Sequence, residues 1–245
     1  FWKGDVLYRD YATSRRIAAF RETLVEKIAS GTAEDWLSED SLLDDTIIDN
    51  LIGFYKRQLA HSGHIAGKTQ LVLEWFTDSA GEPLMLLHAP FGTKVNAPWA
   101  IAIAATIEQT YGSEVQYAYD DDAILIRLLD TEERLPLETV VKLDPVKAGE
   151  LIVSALEHTQ IFAIHFRYNA ARALLLGRSR PGKRIPLWLQ RLRAADLAQQ
   201  VQTYPDFPVI VETYRECLFD LFDLPALKEV LSDIRNGHIL VRSVD

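Results

Sequence analysis

The 245-residue chain has one cysteine, Cys217, so it can close no internal disulfide and build no cysteine zinc cluster. That points to a reducing compartment. It also asks nothing of a staple, because a chain this long buries roughly three quarters of its unfolded surface. Long apolar runs are missing as well. The longest, Trp99 to Ala105, is seven residues, against about 20 for a membrane-crossing helix, and no membrane partner is expected. Neither a starting methionine nor a basic, then apolar, then small-residue leader precedes the body of the chain at Phe1, so it reads as a segment of a longer polypeptide. Positive charge is scarce: 26 Lys and Arg stand against 35 Asp and Glu, a net −9. With 48% apolar and 25% charged residues, the composition is that of an ordinary globular protein, neither disordered nor collagen-like.

Complete catalytic motifs are also absent. Gly67-Lys68-Thr69 looks like the end of a phosphate-binding loop, but Gly63 is one residue too near for G-x-x-x-x-G-K-[ST] and a strand, not a helix, is expected to follow. His61, His64 and His88 lack a metal-binding spacing, and surface histidines are the default. Asp120, Asp121 and Asp122 could hold a cation, although a hairpin turn accounts for them without a ligand. There is no G-x-S-x-G, and Cys217 lies in an apolar helix where an inert thiol is expected.

The apolar periodicity gives the fold class. Ile17, Phe20, Leu24 and Ile28 mark a helix from Ser14 to Ile28 that Gly31 stops, and a second runs from Asp45 to about His61. The period then changes. Thr69 to Phe76 and Leu84 to Ala89 read as one hairpin, and Glu114 to Tyr119 with Ala123 to Leu129 as another. Between them an almost wholly apolar helix starts at Asn96 and Pro98 and ends before Gly112, which makes it central. Helices are expected from Asp144-Pro145, over Ile161 to Leu176, from Pro186, near Ile210 to Phe222 and over Pro225 to Arg235, with an edge strand within His238 to Val244. The expectation is α+β: two hairpins in an antiparallel, barrel-like sheet with packed helices, then a mainly helical lobe. The lobes are 1–130 and 145–245, joined near 131–144.

Between His165 and Gln200 the charge inverts. Eight basic residues, seven of them arginine, face one acid, Asp196, so this window carries +7 and leaves −16 to the rest. A localised cationic stretch on an acidic protein offers polyanions a patch, and arginine suits bidentate phosphate contacts. Nucleic acid is the leading partner. The other reading has these arginines paired with Glu212, Glu216 and Asp220, and it carries equal weight. Arg191 and Arg193 lie about 200° apart on a helix, so some members of the set must be structural. The segment Arg178-Ser179-Arg180-Pro181-Gly182-Lys183-Arg184 reads as a basic loop that reaches phosphates. Trp188 in the next helix could stack on a base, though core packing is the commoner role of such a tryptophan.

Several stretches resemble a known family. They are Phe1-Trp2-Lys3-Gly4-Asp5 with Arg9, the run His88 to Ala100, Phe166-Arg167 with Ala170 to Leu176, Pro186 to Arg191, and Phe207-Pro208 with Glu212 to Leu218. In that order they resemble the DEAD/DEAH-associated domain of the large helicase-related (Lhr) family, over essentially the whole chain. The resemblance implies one accessory domain, 1–245, of a superfamily 2 DNA helicase. Such helicases translocate 3′ to 5′ on single-stranded DNA with ATP and serve DNA repair. ATP and Mg would belong to the motor domains, with no cofactor in this chain, which lacks the motor motifs and is expected to be non-catalytic alone. The partners implied are single-stranded or tailed DNA, an RNA–DNA hybrid as a further candidate, and the RecA-like and winged-helix domains of the same polypeptide. The expected location is the cytoplasm, in association with the nucleoid. Trp2 becomes the best stacking candidate, with Lys3 beside it. The full contact set is Trp2, Lys3, Arg178, Arg180, Lys183, Arg184, Trp188 and Arg191. The sequence departs from the family at Asp121-Asp122-Ala123, where Asp-Asp-Gly is common. Two competing functions remain: a brace that docks on the motor and winged-helix domains without binding DNA, and, ranked last, a base-excision enzyme.

Overall fold

Residues 8–39, 42–79, 81–128, 141–177, 185–201, 203–204 and 206–244 are described by a computed structural model. Three helices come first: α1 (Tyr11–Ser30), α2 (Ala33–Ser38) and α3 (Asp45–Ser62). Asp10 caps α1 by accepting from the Thr13 amide, and Asp44 caps α3 through Ile47, each satisfying an amide that the helix leaves free. Of these three, the sequence pattern misses the short α2. Together the three enclose a small core of Leu24, Ala33, Leu37, Ile48 and Tyr55.

The two expected hairpins form as β1 (Gln70–Thr77) with β2 (Pro83–His88) and β3 (Val115–Tyr119) with β4 (Ala123–Leu128). They join through an antiparallel β2–β4 pairing, and β5 (Leu240–Val244) adds in parallel to β1, giving the order β3-β4-β2-β1-β5. The barrel-like expectation is thus corrected to an open, mixed sheet. Its edges are β3 and β5, and the strand that completes it comes from the far end of the chain and runs parallel, which local hairpin signals cannot show.

Helix α4 (Thr93–Tyr111) packs against β3 and β4, with Trp99, Ala100, Ala102 and Ile103 fully buried. It begins three residues before the expected start, so Pro98 sits inside it. Proline has no amide to donate to the carbonyl four residues back. That carbonyl, on Lys94, instead accepts from the Asp223 amide at 2.9 Å. The defect in one helix therefore becomes a docking bond for another.

The remaining helices are α5 (Pro145–Leu156), α6 (Gln160–Arg172), α7 (Leu187–Val201), α8 (Pro208–Arg215), which runs on into a π-helical turn (Glu216–Leu221), and α9 (Leu224–Arg235). Helix α6 stops four residues short of the expected Leu176, where Leu174 takes a left-handed φ of 62°. Helices α5 and α9 pack on α4, so one apolar core runs from the sheet into the second half of the chain. Most of the expected joint, 131–140, lies outside the described residues.

Candidate nucleic-acid interface

Helix α7 shows why its surface matters. Only Ala194 and Val201 are buried along it, while Leu187, Trp188 and Leu192 are exposed, Trp188 to 66%. The core-packing reading of Trp188 is therefore overturned. Arg191 follows Trp188 by three residues, on the same face of the helix. Arg191 and Arg193 have no ion pair among the described residues; Arg193 turns the other way, with its guanidinium against Gly177. Of the expected contact set, Trp188 and Arg191 are thus brought together. Trp2, Lys3, Arg178, Arg180, Lys183 and Arg184 lie outside the described residues. The chain enters the described fold at Tyr8 and Arg9.

The arginines divide between the two readings. Arg172 pairs with Glu216 at 3.1 Å, as the structural reading requires. Glu212 and Asp220 are taken by Arg215, at 2.8 and 3.1 Å, and not by the basic window. Glu216 also accepts from Asn169 at 2.9 Å and stands 3.4 Å from His165. Burial alone would raise its carboxyl, but the Asn169 hydrogen bond and the adjacent His165 and Arg172 outweigh burial and hold it below the usual range. Glu216 is thus a tie between α6 and the end of α8.

Arg167 belongs to neither group, and the sequence reading passed it over as a site. It falls on the buried arc of α6 with Phe162, Phe166 and Ala170, and is 9% exposed. Its guanidinium carbon lies 5.0 Å from the centre of the Tyr168 ring. A cation in phase with apolar residues was the available signal. Arg167 from α6 and Arg191 from α7 both line a groove of about 640 Å³, with Phe162, Phe166, Ala194 and Ala198 also in its lining.

A polar joint lies where the chain enters the fold. The Asp121 carboxylate accepts from the Thr93 amide at 2.8 Å, the Thr93 hydroxyl at 2.7 Å and the Arg9 amide at 3.3 Å. Asp122 meets Arg9 and Arg21, each at 2.8 Å. Asp120 closes the hairpin by accepting from the Asp122 and Ala123 amides, so no glycine is needed at 123. Gly92 must be glycine: its φ is 90°, and a Cβ there would stand 2.7 Å from the Arg9 carbonyl oxygen.

Phosphate chemistry does not fit Gly67-Lys68-Thr69. The Thr69 amide and hydroxyl both donate to Glu22, the latter at 2.8 Å, which sets a carboxylate where a nucleotide phosphate would have to lie. His88 stands 3.1 Å from Glu74 on the neighbouring strand.

Comparison with known proteins gives a consistent answer. The DEAD/H associated family matches residues 65–245. The chain is 38% identical over its full length to "Lhr helicase/uracil glycosylase" of Escherichia coli (strain K12), of which it spans 16%. It is 25% identical over 250 aligned residues to "ATP-dependent helicase Lhr-Core" of Methanothermobacter thermautotrophicus, spanning 28% of that protein. Among solved structures, the Mycobacterium smegmatis helicase Lhr bound to ssDNA and AMP-PNP matches the whole chain with a TM-score of 0.82 at 31% identity, over 31% of its own length.

Proposed function

The chain belongs to the DEAD/H associated family, and from that premise we propose that it is an accessory nucleic-acid-binding domain of an ATP-dependent DNA helicase. In this reading it helps to hold the tracked single strand while the motor steps 3′ to 5′ during DNA repair in the cytoplasm, at the nucleoid. ATP and Mg would be held by motor domains outside this chain, whose own Gly67-Lys68-Thr69 is occupied by Glu22. The observation that carries the reading is the α7 surface: Trp188, 66% exposed, one turn before Arg191, which has no carboxylate partner among the described residues. An exposed indole beside a free guanidinium is a stacking surface with a phosphate contact attached. The similar M. smegmatis structure, bound to ssDNA, supports the same ligand class. Trp2, Lys3, Arg178, Arg180, Lys183 and Arg184 complete the proposed contact set, in lobes 1–130 and 145–245 joined near 131–144.

The test is a titration of the chain with oligo-dT at low salt. Trp188→Ala should weaken binding by about 1 to 3 kcal/mol, and Arg191→Gln should reduce the salt slope by about 0.7. Absence of binding by the unaltered chain would defeat the reading. The exposed Leu187 and Leu192 beside Trp188 favour a second one, a brace docked on the motor and winged-helix domains. It predicts no oligo-dT binding, and loss of ATPase coupling when the domain is deleted from its parent.

A further inference from the structure

The groove between α6 and α7 combines features that rarely meet by chance. Arg167 is nine-tenths buried and has neither an ion pair nor a hydrogen bond among the described residues. Its nitrogens are nonetheless absent from the sealed, unpartnered polar atoms, so the surface that Arg167 keeps includes its donors. Its guanidinium lies over the Tyr168 ring, 5.0 Å from the centre, with its donors still open to an arriving anion. Arg191, on the facing helix, adds a second cation to the same groove. The acid at this groove, Glu157, accepts from the Tyr214 hydroxyl.

We propose that this groove receives one nucleotide of a single strand, its phosphate on Arg167 and Arg191 and its base in the apolar space between α6 and α7. The inference rests on the single-strand reading above and deepens it. Three observations select a nucleotide over an acidic peptide. Two arginines that line one groove from different helices suit a phosphate, whose several oxygens can accept from both, better than one carboxylate. Trp188, one turn before Arg191, is 66% exposed and offers a base a stacking face beside the groove. The volume, about 640 Å³, falls within the range of small-ligand pockets.

The test uses dTMP, thymidine, orthophosphate and oligo-dT as separate probes. The chain should bind dTMP at least tenfold more tightly than thymidine or orthophosphate, because both halves of the site are needed. Arg191→Gln should weaken dTMP at least tenfold. Ala195→Trp, which fills the groove from an exposed position without removing charge, should abolish dTMP binding while the circular dichroism spectrum stays unchanged. No dTMP binding, or dTMP binding indifferent to both substitutions, overturns the groove assignment, as does an acidic peptide that binds there while dTMP does not. Oligo-dT affinity that survives both substitutions overturns the groove alone and leaves the wider reading standing. Failure of the unaltered chain to bind oligo-dT defeats the wider reading.

Discussion

Asp121 supplies one carboxylate to two parts of the fold that are far apart in sequence, the first turn of α4 and the backbone of Arg9. Burial alone would raise its carboxyl, but the hydrogen bonds from Thr93 and Arg9 and the Arg9 charge outweigh it and hold the group below its ordinary 3.8. A lowered carboxyl contributes its full stability above its unfolded value, and loses it as pH falls through the folded one. Stability should therefore fall below about pH 4, and the fall should be shallower in Asp121→Asn, as followed by urea midpoints across pH 2 to 6. At neutral pH, Asp121→Ala should cost about 1 to 2 kcal/mol, the loss of a cap together with an anchor. The sequence reading found the turn but not this role, because Thr93 and Arg9 become neighbours of Asp121 only in the folded chain. Cys217 is the opposite case, legible in advance. It is fully buried, and desolvation, with Glu216 beside it, pushes the thiol up to about 12. Native protein at pH 8 should resist a thiol reagent, and the thiol should react at the rate of unfolding.

At the scale of elements, the sequence read well wherever the signal was local. The stops Gly31 and Gly112, and Asp144 with Pro145 at the head of α5, all sit where the pattern put them. It read less well where a distant partner decides. The start of α4 depends on Asp121, and its interior Pro98 is accommodated because the Asp223 amide takes the Lys94 carbonyl. That bond is testable. Pro98→Ala restores a local donor to Lys94, which should compete with Asp223, so amide exchange at Asp223 should quicken. Removing proline from a helix interior would by itself gain about 3 kcal/mol. A measured gain well below that would record the docking bond weakened in return. The stop of α6 at Leu174 carries no glycine to announce it. Its left-handed turn was therefore invisible to a reading that looks for glycine.

At the scale of the whole molecule, the core and the exposed Trp188–Arg191 surface of α7 hardly overlap, which lets stability and binding be separated there. Trp188 is exposed on a helix with two buried residues, so Trp188→Ala should leave the unfolding free energy within about 0.5 kcal/mol while weakening oligo-dT. Arg172→Ala should do the reverse, since Glu216 then loses a partner while sitting between α6 and α8. Salt dependence measures how far the interface extends. Each phosphate neutralised on a single strand contributes about 0.7 to the slope of log affinity against log salt. If Arg167 and Arg191 alone meet the strand, on their one shared phosphate, the slope should be about −0.7. If Lys3, Arg178, Arg180, Lys183 and Arg184 each add a phosphate, it should steepen to about −4. The net charge of −9 favours repulsion from the strand at long range. Association should therefore be slow at low salt for a DNA-binding surface, and the salt effect should appear chiefly in the dissociation rate. A slope near zero with intact binding would mean that the aromatic surface acts without the cations, and the basic window would then belong to the brace.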